Sequence, residues 1–177
     1  MTDITQTIPY DPLIRAAGGF AVISGIISAI GVALLITMFV LFATSHQAQG
    51  ETIGMFNDIC VALQYLLTIP IALALYRILF PYNPTLIRFA TIFGIVMMLC
   101  VIVLQMLLVF RVLTFQQQGL WASLAILVGI GSWLIITGLV ARSTSMLPNS
   151  VLMSSVAVPY FGYPVWAFWV GKHLLGL

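Results

Sequence analysis

Residues 85–110 read TLIRFATIFGIVMMLCVIVLQMLLVF, with one charged residue, Arg88, and one amide side chain, Gln105. A helix rises about 1.5 Å per residue, so this stretch is long enough to cross a hydrocarbon core about 30 Å thick. It does not alternate apolar and polar residues, and it is far longer than a barrel strand. In lipid every backbone amide must be satisfied within its own segment. The run therefore predicts a transmembrane α-helix.

Working outward, four more segments have the same character: residues 16–43, 55–80, 119–141 and 151–171. Of the 177 residues, 62% are hydrophobic and 6% are Asp, Glu, Lys or Arg. A soluble domain carries about 25% charge. With a mean hydropathy of +1.18, this chain cannot cover a water-facing surface. The expected fold is all-α: one polytopic transmembrane helical bundle over residues 1–177, with about five spans. The connections at 44–54, 81–84, 111–118 and 142–150 are short, which predicts antiparallel neighbours. Asp11-Pro12 and Asn83-Pro84 each place a capping side chain before a proline suited to the first helical turn. Leu147-Pro148-Asn149-Ser150 stops one helix and offers caps for the next. The first span is longer than a signal-peptide core and follows Asp3 and Asp11. The spans do not divide into matching halves, as an inverted-repeat transporter requires.

The net charge is +2, and the six basic residues are scattered. No basic cluster exists to bind nucleic acid. With the N-terminus cytoplasmic, five spans place Arg15, Arg77, Arg88 and Arg142 inside and Arg111 and Lys172 outside. The positive-inside rule then predicts N-in and C-out. Arg77 and Arg88 can snorkel to headgroups, and Trp166, Trp169 and Lys172 complete a set of expected interfacial anchors. Cys60 and Cys100 fall at different depths, which predicts two free thiols. Ala17, Ser24, Ser28 and Gly31 form a small-residue stripe, with Ala90/Gly94 and Ala125/Gly129 as further pairs. Small residues let membrane helices approach closely, and packing within one chain is the expected use.

Asp58 is the one acid inside an expected span. An ionisable residue there is a functional hypothesis by default. Tyr65 lies on the same helix face, Gln64 and Thr68 form an adjacent polar strip, and Gln105 belongs to the next span. Together these five residues are a candidate polar pocket. The competing reading places Asp58 in the first turn of span two, where it complements the helix dipole and pairs with Arg111 or Lys172. That structural reading is the favoured one. Residues 159–169 carry two prolines, a glycine and six aromatics, which predicts a kink and an interfacial belt rather than a ligand cage. Gln116-Gln117-Gln118 reads as a plain polar loop. His46 and His173 are far apart in sequence, and no metal-ligand spacing, phosphate loop or Ser–His–acid set is visible. No catalytic residue, metal or cofactor is assigned.

Asn57-Asp58, Ala62-Leu63-Gln64 and Pro70-Ile71-Ala72-Leu73-Ala74-Leu75-Tyr76-Arg77 stand in the second span. Tyr163-Pro164-Val165-Trp166-Ala167 and Trp169-Val170-Gly171 stand in the last. Together they resemble a family of uncharacterised bacterial multi-span integral membrane proteins, a domain of unknown function. The resemblance implies bacterial origin and an inner-membrane helical bundle, and it brings no activity, ligand or catalytic residue. Members often have more than five spans. The expected role is a non-enzymatic structural, accessory or sensory membrane component. Its partners would be the bilayer and a membrane protein or a second copy, with no nucleic acid. One alternative is a small-molecule or ion-handling protein using Asp58, Gln64 and Tyr65. A weaker one is an intramembrane enzyme acting on lipid. A polar site requires Asp58, Gln64 and Gln105 to converge on one cavity; an accessory protein lets them diverge.

Overall fold

A computed structural model describes residues 11–144 and 162–176. Those residues are all-α, with no strand among them. Helix α1 spans Pro12–Ala43, and Asp11 caps it by accepting the Leu13 N–H at 2.8 Å. Helix α2 spans Gln47–Leu79. Helix α3 spans Pro84–Val109, capped by the Asn83 side chain on the Leu86 N–H at 3.2 Å. Helix α4 spans Phe115–Leu124 and opens on a capping box in which Thr114 and Gln117 satisfy each other's backbone N–H. A π-helical turn, Ala125–Ile130, joins it to α5, Gly131–Ser143. Helix α6 spans Tyr163–Gly176.

Helices α1, α2 and α3 and the continuous 115–143 rod are each long and apolar enough to cross a membrane. Their outer faces agree with that reading. Ile23, Ile26, Ile30, Ile36 and Phe39 of α1 are all exposed. A contiguous apolar stripe of this kind is untenable in water and ordinary against acyl chains.

The helices run further than hydropathy suggests. Helix α2 begins at Gln47 rather than Met55, and α4 at Phe115 rather than Gly119. The extra turns are polar because they extend beyond the hydrocarbon. The apolar pattern marks the lipid boundary, whereas caps mark the helix ends. The α1–α2 connection is accordingly only residues 44–46. Ser45 there has φ 64°, and the Ser45 and His46 amides bond back to the Phe42 and Leu41 carbonyls. Arg111 ends α3 in the same way at φ 58°, with the Arg111 and Val112 amides on the Leu108 and Leu107 carbonyls, each at 2.8 Å. This left-handed stop is normally given to glycine.

Helix α1 packs along both α2 and α6, α2 also packs on α3, and α3 packs on the 115–143 rod. The small residues make these approaches within the chain. Ala17, Ser24, Ser28 and Gly31 are all buried. Gly94 meets Trp133 so closely that a Cβ there would fall 2.7 Å from the indole Cγ, and Gly129 lies under the Met97 side chain. Cys60 and Cys100 are free thiols.

The end of the chain departs from the expected five-span path. Residues 151–161 of the expected fifth span lie outside the described residues, as does the 147–150 stop. The described remainder belongs to α6, which at 14 residues is about 21 Å long and too short to cross by itself. It runs antiparallel to α1: Pro164 and Phe168 lie by Gly25, Gly171 lies by Val22 and Gly18, and Leu174 and Leu175 lie by Gly18. Tyr163 therefore starts α6 at mid-depth, and Gly176 ends it beside the start of α1. Lys172 does not share a face with Arg111, as five full crossings would require. It sits at the end that carries Arg15.

Candidate functional site

The most connected polar group in the bundle is at mid-depth. Ser24 of α1 lies about 18 Å from the start of its helix, and Thr68 of α2 lies about 17 Å from the end of its own. Between them is the hydroxyl of Tyr163, the first residue of α6 and only 3% exposed. Ser24 Oγ and Tyr163 Oη are 2.7 Å apart, and Tyr163 Oη makes a short hydrogen bond with Thr68 Oγ1. Thr68 donates to the Gln64 carbonyl at 2.7 Å, and Ser24 also reaches that carbonyl, at 3.3 Å. Protons assigned in the order Ser24 to Tyr163 to Thr68 to the Gln64 carbonyl satisfy every hydroxyl. The Tyr65 ring meets Tyr163 edge-on at 6.4 Å, Trp166 packs at 5.4 Å, and Trp166 in turn meets Trp133 at 5.9 Å. This node binds α6 to α1 and α2.

Three of the five residues expected to form a pocket thus come together: Gln64, Tyr65 and Thr68. Asp58 and Gln105 do not join them. Asp58 lies about 15 Å further along α2 from Thr68. It is 8% exposed beside buried Asn57, where Gly31 lets α1 approach. It stands about three turns inside α2, so the first-turn capping role fails. The expected partners also fail: Lys172 is at the opposite end, and Arg111 is exposed. Among the described residues Asp58 makes no hydrogen bond or ion pair. Gln105 accepts from Gln118 Nε2 at 2.8 Å, and both are buried. Gln118, read from sequence as loop, is helical and serves as an interhelical tie.

Ser24 and Tyr163 were the missed members of the node. Ser24 was visible only as a small residue on a stripe, and Tyr163 only as one aromatic among six. Trp166 is also reassigned. At 5% exposed, packed on Trp133, it cannot reach headgroups, whereas Trp169 remains on the outer surface.

One large cavity has a different character. About 780 Å³ in volume, it lies between α3 and the α4–π segment and is lined almost wholly by apolar atoms. Phe93, Met97, Cys100, Trp121, Leu124 and Val128 are among its walls. None of Asp58, Gln64 and Gln105 lines it.

Charge is sharply divided between the two ends of the bundle. Arg77 donates to Asp11 at 2.8 Å, joining the end of α2 to the start of α1. The Leu13 N–H and then the Arg77 guanidinium hold the Asp11 carboxyl below its ordinary range. Arg15 and Arg88 lie near the starts of their helices, Arg142 near the end of α5, and Lys172 follows Gly171, which lies against Gly18, all at this same end. Of the basic residues, Arg111 alone stands at the other end.

Compared with family models, curated proteins and solved structures, the chain finds no match.

Proposed function

We propose that this membrane helical bundle is a non-enzymatic accessory component of a bacterial inner membrane, held with both its N-terminal end and the end of α6 on the cytoplasmic side. The observation that carries the functional reading is the divergence of the polar side chains. Thr68 belongs to the Tyr163 node, which Gln64 joins through its backbone carbonyl, Gln105 to a separate tie with Gln118, and Asp58 to the α1–α2 interface. A permeation path needs polar groups lining one continuous space. Here Ser24, Thr68, Tyr163, Gln105 and Gln118 engage their polar groups in helix-to-helix bonds, and the large cavity is apolar. The orientation rests on the basic residues gathered at one end, a stronger bias than the expected C-out path gave.

Proteoliposomes test the role. Purified protein should give no proton, Na⁺ or K⁺ flux above protein-free vesicles. A flux that disappears in a well-folded Asp58→Asn variant would replace this reading with ion handling at Asp58. For orientation, reporters fused after Pro84 and after Thr144 should read cytoplasmic, and one after Gly50 extracytoplasmic.

A further inference from the structure

The apolar cavity is not uniform. Its lining runs from Phe93 to Leu104 on α3 and from Trp121 to Gly129 on the facing segment. That is about 16 Å of depth along α3, the length of half a hydrocarbon core. One wall includes Ala125, Val128 and Gly129 of the π-helical turn Ala125–Ile130. Such turns disrupt regular packing and are frequent at functional sites. Residues 110–114 connect the two helices that form the walls. Among them is Arg111, exposed and without an ion pair among the described residues. It lies about 10 Å above Leu104 along the helix axis, where acyl chains give way to headgroups. It also occupies a left-handed position, φ 58°, where glycine would be the unstrained choice. Side chains kept at such positions against local preference cluster at ligand clamps.

We infer that this groove holds one glycerophospholipid from the leaflet on the α3–α4 loop side, with an acyl chain between α3 and the π-helical turn and its phosphate on the Arg111 guanidinium. Charge complementarity selects the headgroup: Arg111 is the one basic residue at that end of the bundle. Shape selects a chain over a helix. Close helix docking needs small residues facing outward. The small residues of this wall already face α3, with Gly129 covered by Met97. What remains open is an irregular surface of large side chains, which a flexible chain can follow.

The test uses full-length protein in vesicles of phosphatidylglycerol and phosphatidylethanolamine doped with a phospholipid carrying a diazirine in its acyl chain. Crosslinked peptides should map to 93–104 and 121–129, and native mass spectrometry should retain phospholipid on the protein. Arg111→Gly relieves the left-handed strain, so the fold is kept. It should lower retention about fivefold, the worth of one basic contact near an anionic surface. Cys100→Trp fills an exposed wall position and should abolish crosslinking in the groove without altering crosslinks elsewhere. Crosslinks spread evenly around the bundle, or unchanged retention in Arg111→Gly, would overturn the inference. So would a Cys100–Cys100 disulfide between two copies in the membrane, which would assign the groove to a second chain.

Discussion

Tyr163→Phe removes one oxygen from the centre of the bundle. The hydroxyl makes two side-chain hydrogen bonds, to Ser24 and Thr68. Hydrogen bonds between membrane helices average about 0.6 kcal/mol, so losing both should cost about 1 kcal/mol. The loss is not larger because Thr68 and Ser24 each keep the Gln64 carbonyl as acceptor, at 2.7 and 3.3 Å, so no donor is orphaned. The expected drop in melting temperature is about 2–4 °C for a chain of this size. Tyr163→Leu should cost about 3 kcal/mol, because it also removes ring contacts to Tyr65 and Trp166 worth about 0.5–1.5 kcal/mol each. The assay is thermal unfolding in mild detergent, read by tryptophan fluorescence from the Trp133–Trp166 pair. A double-mutant cycle with Thr68→Val isolates the bond. If Tyr163 acts through Thr68, the double variant costs less than the two single losses together. Losses that add to within about 0.3 kcal/mol would refute the node as a coupled unit.

Two further outcomes follow from the same geometry. Gly94→Ala should destabilise by about 1–3 kcal/mol, since its Cβ would meet Trp133 Cγ at 2.7 Å and Cβ at 2.8 Å. Gly19→Ala, with nothing within 4 Å, should be neutral or stabilising by up to about 1 kcal/mol; melting of the two variants side by side checks this, and equal effects would contradict the packing. Asp11 has its folded pKa lowered, so its contribution is fully present above the unfolded value near 3.9 and fades as pH falls through the folded value. Melting of wild type and Asp11→Asn should therefore differ above pH ~4 and converge under stronger acid, a small effect because the pair is exposed.

The all-α membrane bundle was legible from the sequence because its cause is local. A long apolar run commits itself to a helix whatever lies next to it, since lipid offers the backbone no other partner. The N-caps at Asp11 and Asn83 were legible for the same reason, as each acts within three residues. The small residues on α1, α3 and the π-helical turn announced close approach, though not which helix would approach. Tertiary structure decided everything that depends on pairing. Nothing local says that Tyr163 reaches across to Ser24 and Thr68, or that Gln118 folds inward to Gln105. A polar side chain in an apolar helix is costly until a partner from another helix satisfies it, and that partner is set by depth and register rather than by spacing. Asp58 shows the same limit from the other side. Hydropathy placed it in a first turn because it marks where lipid begins, whereas α2 had begun at Gln47. The direction of α6 is the largest such decision. Its residues are apolar enough for either course, and only its seat along α1, from Gly25 to Gly18, brings Lys172 to the end that holds Arg15 and Arg77.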